Sequence, residues 1–381
     1  MRSATSARRI AFAPAVSLPV QTNERIPKMF LALSDCFEVI PIPLSKFNKS
    51  VYDQHVNKLA RYLLFLIDEF ITFKNCLVLS KRHGASLIFA ENAYVSLAGG
   101  LSARILHLPL VWDNHGNIKI FAESLGKSRF FTSANVILER LLERLATSIF
   151  VVSRVDRDGY EELGFDMEKF KVIPICADTK AVDRNLLEKR EARRKLSIPE
   201  DQKVVLFFGT LTYYPNLEAA RYIVRELSPA VKKELDNVHI YIAGGGSYPD
   251  PLPDNVHHLG FVPFDPDLCI WLSVADICIA PLWKGVGVLT KVIDMLSAKK
   301  PTVLTPLCLK GIPELAHGEN CLVGEDRERF SGEVVRLLSD VELQKRIGTN
   351  GRHLIDESYS WDVVGKRVCD ILDSIMDTGG D

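Results

Sequence analysis

Between Pro281 and Thr305 the chain reads PLWKGVGVLTKVIDMLSAKKPTVLT. An apolar strand pattern ends at Leu282, a loop carrying Gly285 and Gly287 follows, and a helical pattern begins near Leu289. Beyond the carboxyl end of a parallel strand, free amides and the dipole of the next helix favour an anion such as a diphosphate. Two glycines let the backbone approach it closely. Lys291, in the first turn of the helix, adds a full positive charge, and Asp294 can accept hydrogen bonds from sugar or ribose hydroxyls. An ordinary strand–loop–helix connection with a surface lysine has the same pattern. The run Gly244–Gly246 fails the G-x-G-x-x-G spacing of a dinucleotide site and reads as a tight turn. A second candidate is His115 in VWDNHGN, which taken alone fits a structural or exposed loop histidine equally well.

These residues need a scaffold that ends strands beside helix starts, and the rest of the chain supplies the pattern. Short apolar runs alternate with amphipathic helical stretches, which argues for βαβ units and parallel sheets. In the first half, strands are expected at Ile10–Ala13, Glu38–Ile42, Ser86–Ala90, Pro109–Trp112 and Ser148–Val152. Helices are expected near Asn23–Leu33, Val51–Phe73, Asn92–Ile105 and Ala134–Ala146. After a polar helix at Asn185–Leu196, a second series opens with the buried strand Val204–Gly209 and a helix from Asn216 to Glu234. Strands at His239–Gly246, His257–Val262, Asp276–Leu282, Pro301–Thr305 and Cys321–Val323 follow. They are interleaved with helices at Pro266–Val274, Leu289–Ala298 and Ile312–Ala316, and two helices close the chain. The boundary falls near Val182–Leu187. This gives an acceptor-side Rossmann-like domain at 1–183, a donor-side one at 184–361, and a C-terminal helix at 362–381 packing back on the first.

Composition bounds the function. The 381 residues are 47% hydrophobic and 25% charged with a net charge of −1, so bulk charge recruits neither nucleic acid nor membrane. None of the eight cysteines sits at C-x-x-C spacing, which leaves a zinc or dithiol site unsupported. Several lie in apolar runs and read as core residues in a reducing compartment. At the N-terminus, Pro14 and Pro19 interrupt an apolar stretch that otherwise resembles a signal peptide; a buried first strand fits better. Elsewhere, LARYLLFLIDEFITF carries Arg61, Asp68 and Glu69 and falls short of a spanning helix. The chain therefore reads as soluble and cytoplasmic. Lys46, Lys49, Lys58, Arg61, Lys74, Lys81 and Arg82 form either a solvated face or a peripheral contact with the inner face of a membrane.

The ordered series of motifs from Val204 to Trp361 resembles the donor domain of retaining glycosyltransferases of the GT-B fold, in the glycosyltransferase family 4 group (glycosyl transferases group 1). FFGTLTYYPNLEA, YIAGGG, HHLGFVPFDPDLCIWLSVADICIAPL, GVGVLTKVIDML, GIPELAHGENCLVGED and DESYSW each resemble a family segment, in the family's order. VWDNHGN, SIFVVSRVDRDGYEELG and KVIPICADTK resemble parts of the acceptor domain. The resemblance implies two Rossmann-like domains facing across a cleft. It implies a nucleotide-diphosphate sugar as co-substrate, no other cofactor, no metal, and transfer with retention of anomeric configuration. The acceptor is a glycan, a lipid-linked sugar or a small molecule. His115 and Lys291 would be catalytic. Gly209, Thr210, Val262, Gly285, Val286, Gly287, Val288 and Asp294 would hold the donor.

The chain departs from the family at several of these points. Lys284 stands where many members carry a first glutamate, and Asp294 replaces the second. Leu289 stands where one branch has a further basic residue. The loop after the first donor-domain strand has Thr210 and Pro215 where others carry arginine and lysine. These losses leave open a weak or inactive pseudoenzyme that acts as a binding partner, and the shared fold leaves open a sugar-nucleotide epimerase or hydrolase.

Overall fold

Apolar runs rich in Val, Ile and Phe build two parallel six-stranded sheets, each completed by helices on its faces. The computed structural model describes residues 8–14, 25–43, 57–117, 119, 128–285 and 290–378. It divides into one unit of Met1–Pro174 with Val364–Asp381 and a second of Ile175–Val363.

In the first unit, β1 (Arg9–Ala13) leads to α1 (Arg25–Ser34) and β2 (Glu38–Pro41). Then come α2 (Lys58–His83), β3 (Leu87–Glu91), α3 (Ala93–Leu106) and β4 (Leu110–Asn114). α4 (Arg129–Leu145), β5 (Ser148–Val151), α5 (Arg154–Glu162) and β6 (Phe170–Val172) complete the sheet. Its order is β2-β1-β3-β4-β5-β6. The chain steps from β1 to β2 on one side and then to β3 on the other, so β1 and β3 flank a point where strand order reverses. Central strands are buried along their whole length, as parallel strands covered on both faces must be. Phe12 stacks on Phe89 across β1 and β3, ring centres 5.5 Å apart.

The second unit opens with α6 (Thr179–Asn185) and α7 (Lys189–Leu196), followed by β7 (Lys203–Phe208). α8 (Tyr214–Tyr222) runs through a π-helical turn at Ile223–Leu227 into α9 (Ser228–Glu234). β8 (Val238–Ala243), β9 (Val256–Gly260), α10 (Cys269–Val274), β10 (Ile277–Ala280) and α11 (Thr290–Ser297) come next. The last elements are β11 (Thr302–Leu304), α12 (Pro306–Gly311), β12 (Leu322–Val323), α13 (Arg327–Ser339) and α14 (Val341–Leu354). Sheet order is β12-β11-β10-β7-β8-β9, reversing between β7 and β10. Alternation along β7 shows why the strand is apolar throughout. Val205 and Phe207 enter one core cluster, while Val204, Leu206 and Phe208 enter the other. α15 (Trp361–Thr378) belongs to the first unit from Val364 onward. There Arg8 pairs with Asp373 at 2.8 Å and Cys36 is disulfide-bonded to Cys369.

The structure corrects several local expectations. Ile312–Ala316 is not helical; the helix is α12, which starts at Pro306 directly after β11. Proline suits a first helical position because its missing N–H would have no partner there. The polar helix expected at Asn185–Leu196 is two helices, interrupted where Leu186 is extended and the Leu187 amide bonds Ser273 Oγ at 3.0 Å. β6, three residues long, carried too little pattern to be read as a strand. Ser360 is extended and bridges Ala177, so three helices rather than two close the chain. Two cysteines, 333 residues apart in sequence, are paired rather than reduced, while the other six are buried and free. No helix among the described residues is long and apolar enough to cross a membrane.

Candidate active site

In the second unit, Gly209, Thr210, Gly285 and Lys291 gather near the strand-order reversal. β7 ends at Phe208, and Gly209 follows with φ +152°. A Cβ there would lie 2.4 Å from Lys291 Nζ and 2.8 Å from Asn216 Nδ2, so only glycine fits. Gly244 is equally constrained: a Cβ would fall 2.1 Å from the Gly209 carbonyl oxygen. The glycine run thus lets the β7 and β8 loops touch. The Gly209 amide donates to Ala243 O and the Leu211 amide to Gly245 O.

Lys291 projects from the first turn of α11 and is only 9% exposed. Its Nζ donates to Asn216 Oδ1 at 2.6 Å and lies 4.7 Å from the centre of the Phe207 ring. No carboxylate pairs with it among the described residues, and burial pulls its pKa down to about 8. Asp294 sits one turn further along α11. Its carboxylate has neither a hydrogen bond nor an ion pair among the described residues, and burial pushes its pKa up to about 7. Gly285, at φ +140°, faces Tyr213, Pro215 and Leu307. Thr210 is exposed, with its hydroxyl 3.2 Å from Gly245 O. Val262 follows β9, two strands from β7, and packs against the apolar cluster that includes Leu268. Val286, Gly287 and Val288 lie outside the described residues. Asn216 was missed as a site residue; its signal was the P-N pair in YYPN.

In the first unit, His115 follows β4 and joins a closed ion cluster. Its Nε2 lies 2.9 Å from Glu91 Oε2 and 3.4 Å from Asp113 Oδ2, as ion pairs rather than aligned hydrogen bonds. Arg25, from the first turn of α1, grips Asp113 with both ends: Nε to Oδ2 at 3.0 Å and Nη2 to Oδ1 at 2.8 Å. Glu91 and Asp113 are fully buried. Burial opposes the His115 imidazolium, but the two carboxylates outweigh it and raise its pKa to about 9. Burial likewise raises Glu91, to about 7 against the pull of His115. Asp113 resists burial because Arg25 holds it well below the usual carboxylate range. Beneath the cluster, the Tyr160 hydroxyl donates to Glu139 Oε1 at 2.8 Å. The ligand atoms of Glu91, Asp113 and His115 lie within 4.8 Å of one another and are of types that bind divalent cations. Both Asp113 oxygens are already committed to Arg25, so two cations and two anions balance within the protein. Sequence reasoning missed Arg25 and Glu91. The available signal was a carboxylate ending the otherwise apolar strand IFAE.

A family model described as Glycosyl transferases group 1 matches residues 202–340, and one described as Glycosyltransferase Family 4 matches residues 51–181. An uncharacterized glycosyltransferase of Methanocaldococcus jannaschii is 27% identical over 227 residues. That match covers 56% of this chain and 56% of the relative, so the chain spans about half the length of the curated protein it resembles. Sucrose-phosphate synthase from Thermosynechococcus elongatus superposes with a TM-score of 0.70 at 13% identity, over 97% of this chain and 100% of its own. Anabaena HepE in complex with UDP and glucose does so at 0.67 and 15% identity, over 96% and 100%. With both family matches in chain order and two parallel Rossmann-like sheets to carry them, the chain carries the domains of Glycosyltransferase Family 4 and of Glycosyl transferases group 1 and has the GT-B fold.

Proposed function

We propose that this protein transfers a sugar from a nucleotide-diphosphate sugar to an acceptor hydroxyl, retaining anomeric configuration and using no metal. The observation that carries the reading is Lys291: a buried ammonium without a carboxylate partner among the described residues, at the carboxyl ends of β7 and β10. A buried charge is costly unless paired, and a diphosphate is the partner this position suits. The bond from the anomeric carbon to the diphosphate oxygen breaks, leaving oxocarbenium character on the sugar. Lys291 stabilises the charge building on the departing diphosphate. The acceptor oxygen bonds the same face of the anomeric carbon and gives its proton to the leaving phosphate. Asp294 accepts hydrogen bonds from donor hydroxyls, and His115 orients the donor sugar or the acceptor.

Because HepE is complexed with UDP, a uridine donor is the first to test. A melting-temperature screen with UDP, GDP, CDP and ADP, with and without chelator, tests the reading, since a ligand of the folded state raises the midpoint. A rise with one nucleotide that chelator leaves unchanged is expected. No rise with any of the four would contradict a donor site and favour a binding role without catalysis.

The surface of the first unit supports a second element of the proposal, work in the cytoplasm at the inner face of a membrane. Leu63, Leu66, Ile67 and Phe70 form an exposed helical stripe on α2, with Leu101 and Ile105 exposed on α3, and Ile137 and Leu141 on α4. Asp68, Glu139 and Glu143 of these helices are buried, while Lys74, Arg104 and Arg144 are exposed. An apolar stripe among cations suits an anionic lipid surface. Salt-sensitive binding to vesicles containing phosphatidylglycerol, weakened by Phe70→Asp, is expected. Absence of vesicle binding would retire the membrane contact and leave the transfer reaction untouched.

A further inference from the structure

Three observations converge on Asn216. Its side chain is buried, and its two ends are fixed by chemistry: Nδ2 donates to the Thr210 carbonyl at 2.8 Å, and Oδ1 accepts from Lys291 at 2.6 Å. A carbonyl can only accept and an ammonium can only donate, so the amide can sit one way round. The missing Cβ of Gly209 leaves the space in which the Lys291 head and the Asn216 amide meet. The Phe207 ring lies on a further side of the ammonium. Asn216 therefore uses up one of the three Lys291 donors without adding charge.

We propose that Asn216 is the positioning residue of the donor site, a neutral amide that holds the Lys291 ammonium in place while leaving its charge to the diphosphate. The proposal rests on the reading of Lys291 as a diphosphate ligand. It explains how a chain with Thr210 and Pro215 where other members carry basic residues presents one well-placed cation. Giving up the Nδ2 hydrogen bond to the Thr210 carbonyl, a carboxylate at 216 has nearly the same shape and would still accept from the lysine. It would also pair with it ionically, so the anion would have to compete.

That difference separates positioning from mere packing. UDP binding is measured by calorimetry between pH 7 and 9.5 on the full chain and on Asn216→Ala, Asn216→Asp and Lys291→Ala, with melting curves to confirm folding. Asn216→Ala is expected to weaken UDP about tenfold, the loss of one hydrogen bond to a charged group. Asn216→Asp is expected to weaken it about a hundredfold, since its carboxylate neutralises the cation. Wild-type affinity should fall as pH rises through about 8, where Lys291 loses its proton. In Asn216→Asp that fall should move to higher pH. UDP binding by Asn216→Asp equal to or tighter than by Asn216→Ala would overturn the role of Asn216, even where Lys291→Ala still abolishes binding. Unchanged binding in Lys291→Ala would overturn the reading of Lys291 and this proposal together.

Discussion

The carboxyl edges of the two sheets treat charge in opposite ways. In the first unit, Arg25 and His115 stand against Asp113 and Glu91, two cations facing two anions, in a fully buried to quarter-exposed cluster. In the second, Lys291 and Asp294 stand on one short helix without ionic partners among the described residues. A cluster closed in this way holds the strand ends and aims a histidine. A buried ammonium with no carboxylate beside it is a candidate binding group rather than a structural one. On the proposed function, the first site positions and the second binds the charged part of the substrate.

The largest effect that would sharpen this contrast is on stability. Arg25→Met should destabilise the protein by about 3–5 kcal/mol, because it leaves the buried Asp113 carboxylate with His115 alone beside it and without its two guanidinium hydrogen bonds. Denaturant unfolding checks this, and a loss below about 1 kcal/mol would mean the cluster is not closed as described. Lys291→Ala should lower turnover at least about a hundredfold, as removal of one strong charge-stabilising contact does. Near-normal turnover would break the assignment of the second site.

Smaller effects test the same division. His115 has a raised folded pKa, so the stability it contributes is full below its ordinary value near 6.5 and is lost as pH rises through about 9. Unfolding followed between pH 6 and 10 should show that decline in the wild type and a weaker one in His115→Gln; equal slopes would remove the histidine from the cluster. Asp294→Ala should weaken donor binding with little change in turnover at saturation, and an unchanged dissociation constant would take Asp294 out of the site. Lys291→Met, which removes a buried cation but leaves Asn216 Oδ1 without its donor, should change the stability of the ligand-free protein by no more than about 1 kcal/mol. Melting without nucleotide measures it, and a clear loss of stability would show that Lys291 is structurally paired after all.

What was legible in the sequence follows the range of the forces involved. Strands such as VVLFF and ICIA are apolar along their whole length because both faces are covered, and composition alone reveals that. The loop after β10 and Lys291 at the start of α11 are local features, readable from spacing within a few residues. Arg25 and Asp113 are 88 residues apart, and Asn216 and Lys291 are 75 apart. Their pairing depends on which strands become neighbours, which no local pattern encodes. The Cys36–Cys369 bridge was hidden for the same reason. The helix expected at Ile312–Ala316 differs for a local reason: Pro306 directly after a strand end is a start signal, and the helix begins there.

The central claim is that Lys291 is a buried cation waiting for a diphosphate. Calorimetric titration of UDP into wild type and Lys291→Met at pH 7 tests it most directly. The account predicts measurable binding to the wild type and a loss of at least about tenfold in the variant, the value of one charge-assisted contact. Equal affinity in both proteins would contradict it.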